Sequence, residues 1–144
     1  MGYGFTELSE RYGGIQARLK EIGASGCLFL ALCTIVEEVT GRPADIVGMV
    51  QHGLRHGWLS RDYTVNDSVK MLDIYTGKAW KRDIVPKLPE VVADNEFTIV
   101  KWHNKKTGYT HFRRRFVDTL EDSQTVRFGE IESYYVYSYK TEER

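Results

Sequence analysis

A cysteine beside a glycine-punctuated turn is the residue of this sequence best placed to do chemistry. Cys27 follows the turn Gly23-Ala24-Ser25-Gly26 and precedes residues 28–36, which are apolar nearly all the way round and therefore predict a buried helix. At the first position of such a helix, unpaired N–H groups and the positive end of the helix dipole favour a thiolate, the nucleophilic form. The neighbouring glycines lack a Cβ, so a substrate backbone can approach closely. The pattern predicts a nucleophilic thiol at Cys27.

A thiol nucleophile needs a base, and histidine can supply one near neutral pH. His111 lies within a β-prone segment, where a rigid sheet would hold its ring against Cys27, and His103 is the reserve candidate. Asp118 or Asp122 would orient the imidazole by accepting a hydrogen bond from it. Asp118 is preferred; because it lies seven residues after His111, a turn or bulge must intervene to bring both side chains to one face.

In this order, these residues resemble the papain-like cysteine peptidase superfamily. Within it, they are most similar to the compact bacterial and phage-type members related to double-glycine peptidases and cell-wall endopeptidases. The matching motifs are Gly26-Cys27, Thr110-His111-Phe112, and Asp118 with the segment 123–129. The resemblance spans most of the chain, from about residue 23 to residue 139.

The resemblance implies a thiol hydrolase that cleaves a peptide or related amide bond through an acyl-enzyme. Cys27, His111 and Asp118 would form its catalytic triad, with no cofactor and no metal. The backbone N–H of Cys27 and a second donor would hold the oxyanion. Many members place a glutamine six residues before the cysteine; Glu21 occupies that position here, and Gln16 is the nearest glutamine. A peptide, a protein or a peptidoglycan stem peptide would be the substrate.

Two histidines on a predicted helix suggest a different site. His52 and His56 are four residues apart, a spacing that places both imidazoles on one helix face and suits zinc. The segment lacks the glutamate of a metallopeptidase helix, and no third ligand is evident nearby. Solvent-exposed helix residues are therefore the preferred interpretation of this pair.

A local concentration of positive charge supports a third hypothesis about the function of the chain. It comprises the arginines at 113–115 and the lysines at 101, 105 and 106. Because side chains alternate along a strand, at least one arginine must face the helices or pair with a carboxylate. Short helices followed by a basic hairpin also describe a winged helix, with residues 45–57 or 65–77 as its recognition helix.

The charge balance argues against that nucleic-acid partner. The 20 basic residues are matched by 20 acidic ones, which leaves no global field to attract a polyanion. A papain-like fold without catalysis, acting as a binding or structural module, is the remaining alternative.

The elements that must position these residues run from helices to strands. Helices are predicted over residues 6–22, 27–40, 43–57 and 66–77, with Asn66 or Asp67 as the cap of the last. Strands are predicted over residues 97–103, 109–117, 124–128 and 131–139, and a loop over residues 79–95. This order is α+β, with a helical part at about 5–77, including a buried central helix, packed on an antiparallel sheet at about 97–139 in a papain-like arrangement.

Length and cysteine usage set the broader expectations. The 144 residues suffice for a single domain with its own core. Cys27 and Cys33 are too few for a disulfide framework, which predicts a reducing, cytoplasmic location by default. No signal-peptide pattern opens the sequence, and no apolar run reaches the roughly 18 residues of a membrane span.

Overall fold

The computed structural model describes residues 26–87, 93–114 and 129–141. Within them the chain is α+β, with three helices packed on a four-stranded antiparallel sheet. The elements are α1 (Cys27–Thr40), α2 (Ile46–His56), α3 (Ser68–Thr76), β1 (Trp80–Val85), β2 (Glu96–His103), β3 (Thr110–Arg114) and β4 (Glu130–Tyr139). The helix predicted over 6–22 and the strand predicted over 124–128 lie outside the described residues.

The helices end where the glycines of the sequence predict. Gly41, Gly57 and Gly77 follow α1, α2 and α3, each with a left-handed backbone at φ 71°, 79° and 71°. Glycine adopts this conformation without the steric cost that a Cβ brings, so the chain can turn away from the helix axis. All three predicted helix ends are confirmed.

The starts of α2 and α3 are set by aspartate caps. The Asp67 carboxylate accepts a hydrogen bond from the N–H of Lys70, which confirms one of its two predicted caps. The Asp45 carboxylate accepts from Gly48 in the same way, so α2 begins only at Ile46. The prediction that Pro43 occupies the first turn of α2 is therefore wrong, because the cap lies two residues further along.

Helix α1 is the central buried element. The side chains that it buries are Phe29, Ala31, Leu32, Cys33, Ile35 and Val36. They join a core that includes Trp58 from the loop after α2, whose ring stacks on Phe29 at 6.4 Å between centroids. The prediction of a helix over residues 27–40 is confirmed, but its burial is not complete, because Leu28 and Leu30 of the apolar run are only partly buried.

The sheet order is β1-β4-β2-β3, with all neighbours antiparallel. The β2–β3 hairpin turns through residues 104–108, as predicted, with Gly108 at φ 75°. The prediction of a loop over residues 79–95 is wrong for β1. This strand carries the charged run Lys81-Arg82-Asp83, and its partner β4 lies about fifty residues further along the chain, so no local signal marks it.

The sheet has two faces, and only one is covered by the described helices. On the helix-covered face, Trp80, Phe97, Ile99 and Tyr137 belong to the core shared with α1 and α3. Alternation along each strand therefore assigns the intervening residues to a second face. This division decides which side chains can meet the start of α1.

Candidate functional site

Cys27 is the first residue of α1 and is half-buried. Gly26 occupies the cap position, and because glycine has no side chain it cannot accept a hydrogen bond from the first turn. The first turn also carries no acidic residue. The positive end of the helix is therefore neither capped nor neutralised by its own side chains, which is the environment that stabilises a thiolate.

Cys33 provides an internal contrast. Its side chain is buried, and its thiol lies 3.8 Å from the sulfur of Met49. Burial, with a smaller contribution from Glu37, raises the pKa of the Cys33 thiol to about 12. The expectation that Cys33 is a packing residue agrees with this environment, since a thiol so far from ionisation is a poor nucleophile.

His111 lies on β3, opposite Trp102 of β2. Arg114 of the same strand contacts α1, and this contact fixes the direction of the side chains along β3. The ring of His111 stacks on that of Tyr109, two residues earlier, at 5.9 Å between centroids. By alternation, Phe112 shares the face of Arg114, whereas His111 points to the second face. Within the described ranges, no hydrogen bond joins Cys27 to a histidine.

His103 ends β2 on the helix-covered face. Its Nδ1 atom lies 3.4 Å from the hydroxyl of Thr110, which also stands on that face by alternation. The neighbouring Lys101 forms a 2.7 Å ion pair with Glu132, and this contact lowers the pKa of the Glu132 carboxyl. Of the two hairpin histidines, His103 is therefore the one that shares a face with α1.

The remaining predicted members of the site are outside the described residues. Asp118 and Asp122, the candidates for orienting the base, fall in the range 115–128, and Gln16 and Glu21 fall in the range 1–25. Their assigned roles stay predictions.

His52 and His56 have the predicted geometry, but His52 also contacts aromatic side chains. The rings of His52 and His56 are 4.3 Å apart, which confirms that they share one helix face. Across the described residues, no cluster of three His, Cys, Asp or Glu side chains is arranged to hold a metal. His56 is exposed as expected, whereas His52 is half-buried, because its ring packs against those of Trp58 and Tyr75, which also contact each other.

The hydrogen bonds of His52 define its protonation state. Its Nδ1 atom is 3.4 Å from the indole nitrogen of Trp58 and 3.0 Å from the hydroxyl of Tyr75. Because an indole N–H can only donate, Nδ1 must be the acceptor, which assigns the neutral tautomer protonated at Nε2. Partial burial, followed by the positive charges of His56, Arg55 and Lys70, lowers the pKa of His52.

One arginine of the basic cluster, Arg114, faces the helices. Arg114 is buried, donates to the Thr34 hydroxyl at 3.0 Å and approaches the Glu38 carboxylate at 3.4 Å. This confirms that at least one arginine turns toward the helices. Glu38 was not among the predicted site residues, because nothing in its local sequence links it to a strand 76 residues away.

Comparisons of the chain with known proteins found no similar protein. No protein-family model, no curated protein and no solved structure matches the chain. The class that the fold defines is accordingly an α+β protein with a cysteine at the start of its central helix. In the part of the chain that the structure describes, none of the helices has the length and apolar character needed to cross a membrane.

Proposed function

We propose that this protein is a papain-like thiol hydrolase in which Cys27 attacks the carbonyl carbon of a peptide or related amide. The sulfur forms a thioester with the acyl group, and a histidine takes the thiol proton and returns it to the departing amine. Water then cleaves the thioester and regenerates the thiol. The N–H of Cys27, at the start of α1, would donate to the oxyanion of each tetrahedral intermediate.

The position of Cys27 is the observation that supports this proposal. The residue is half-buried at a helix start whose cap residue, Gly26, has no side chain, whereas the second cysteine of the same helix is buried. The helix itself packs against β3. This strand carries His111 and pairs with β2, which ends at His103. A helix buried against an antiparallel sheet, with a thiol at its first residue, is the framework that the papain-like resemblance implies.

The hairpin offers two histidines as the base. His111 is the residue assigned by the resemblance, and it stands on the second face of the sheet. His103 stands on the helix-covered face, at the end of the neighbouring strand. Because a general base must come within hydrogen-bond reach of the proton that it accepts, the two assignments make different predictions.

Alkylation kinetics test the proposal. Iodoacetamide at near-neutral pH should modify Cys27 at least about tenfold faster than Cys33, as measured by peptide mass spectrometry, because only the thiolate reacts. His111→Ala and His103→Ala identify the base, which is the histidine whose loss slows Cys27. His56→Ala is the matched control, since this exposed residue lies on α2 and should leave the rate unchanged.

Equal and slow alkylation of both cysteines would contradict the proposal. So would a Cys27 rate that neither hairpin variant changes. In either case, the thiol is not activated by a histidine of the hairpin, and the hydrolase assignment fails while the α+β fold stands.

A binding or structural module without catalysis is the second candidate. The observation that favours it is the direction of His111, which points away from the face on which α1 packs. A module of this kind requires no activated thiol, so it predicts the slow alkylation just described.

A further inference from the structure

A cleft separate from Cys27 lies where the three helices meet. It has a volume of about 430 Å³ and is bordered by the end of α1, the start of α2 and the end of α3. Thr40 on its wall is thirteen residues from Cys27, which corresponds to about 20 Å along the helix axis. The cleft is therefore independent of the proposed thiol site.

The wall of the cleft is mainly apolar. Val36 and Met49 are buried core residues that reach it from α1 and α2, and Ile74 of α3 is 43% exposed at its edge. The ring of Tyr75 completes this surface, and its hydroxyl is already hydrogen-bonded to His52. Such a surface suits a small hydrocarbon group, and its volume falls in the range of about 300–1,000 Å³ that is usual for small-molecule sites.

Two opposite charges line the same cleft on the segment that connects α1 to α2. Arg42 is exposed, and in the described part of the chain its guanidinium contacts no carboxylate. Asp45 uses Oδ1 to cap α2, and among the described residues no cation pairs with its carboxylate. One cation and one anion are thus available beside an apolar wall.

We propose that this cleft binds a free α-amino acid with an apolar side chain. The ammonium group of the ligand pairs with Asp45, its carboxylate pairs with Arg42, and its side chain packs against Val36, Met49 and Ile74. Both charged groups are required on one small molecule, which distinguishes a free amino acid from a peptide terminus carrying only one of them. Charge-assisted hydrogen bonds at both ends supply the selectivity.

Titration of the full chain with L-leucine tests this proposal, with calorimetry for affinity and amide chemical shifts for location. We expect saturable binding that shifts the amide signals of Gly48 and Met49. Arg42→Gln and Asp45→Asn should each weaken binding about tenfold, which is the loss of one charge-assisted contact. Asparagine caps a helix as well as aspartate does, so the second variant keeps the start of α2.

Matched controls separate the site from a general effect. Arg61→Gln removes another exposed arginine, outside the cleft, and should leave the affinity for L-leucine unchanged, as should Cys27→Ala. N-acetyl-L-leucine and L-leucinamide, which each lack one charge, should bind about tenfold more weakly than L-leucine. Absence of saturation at millimolar L-leucine, or equal affinity for the capped ligands, would overturn the proposal.

Discussion

At the residue scale, Cys27 and His111 stand in different surroundings: Cys27 begins α1, whereas His111 points away from the face of the sheet on which α1 packs. The apolar run after Cys27 predicted a buried helix, and with it the different environments of Cys27 and Cys33. The direction of His111 could not be predicted, because it depends on which face of β3 packs on α1. Arg114 lies on that face, and because side chains alternate along the strand, His111 lies on the other one.

The neutral imidazole of His52 should make folding stability depend on pH. The pKa of His52 is lower in the folded chain than its ordinary value of 6.5, so the unfolded chain binds the proton more readily. This contribution to stability is present above pH 6.5 and is lost as the pH falls toward the lowered value. The urea midpoint of wild type should therefore fall further between pH 7.5 and pH 5 than that of His52→Gln; equal falls would contradict this account.

Replacing the buried Arg114 should not lower the free energy of unfolding, whereas replacing its partner Glu38 should. Arg114→Met exchanges a desolvated charge for an apolar side chain and should leave the free energy of unfolding unchanged or higher. Glu38→Gln leaves the arginine without its counter-charge; because the Glu38 side chain is 56% exposed, the loss should be only about 1 kcal/mol. Urea denaturation measures both, and a severe loss in Arg114→Met would show that the ion pair stabilises the fold.

At the element scale, helices and hairpins were predictable because their signals are local. Aspartate caps and glycine stops set the helix limits, and a glycine closes the turn of the β2–β3 hairpin. Strand β1 was missed because it is an edge strand with a charged centre, recognisable only through its pairing with β4. The start of α2 was misplaced because proline and aspartate both signal a helix start, and the aspartate prevailed.

Two glycines next to strands, Gly108 in the β2–β3 turn and Gly129 just before β4, should respond differently to replacement by alanine. Both have a positive φ, 75° at Gly108 and 91° at Gly129, but a Cβ at Gly108 would meet open space. At Gly129 it would collide with the carbonyl oxygen of His103, which is a backbone atom and not the end of a flexible side chain. Gly108→Ala should cost about 1–2 kcal/mol of unfolding free energy from strain alone, and Gly129→Ala clearly more. Similar losses in urea denaturation would show that the close approach is unimportant.

At the scale of the whole molecule, the α+β class followed from the order of the elements, but the sheet order did not. Strand β4 lies between β1 and β2, and such non-local pairing leaves no trace in local sequence patterns.

The neutral charge of the molecule predicts that it does not bind nucleic acid. The chain has no net charge, and one arginine of the basic cluster is buried against α1. The part of the sheet that the structure describes already has four strands, rather than the hairpin alone that a wing requires. The protein should pass a duplex-DNA column at low salt without retention, whereas retention that weakens as salt rises would favour the winged-helix alternative.

The most direct test of the central claim is a covalent bridge between the thiol and its base. 1,3-Dibromoacetone alkylates a thiolate by displacing one bromide, and the second carbon–bromine bond then reacts with an imidazole nitrogen within reach. The account predicts that mass spectrometry of the digested protein finds Cys27 bridged to His103 or His111. Alkylation of Cys27 with a bridge to neither histidine would contradict it.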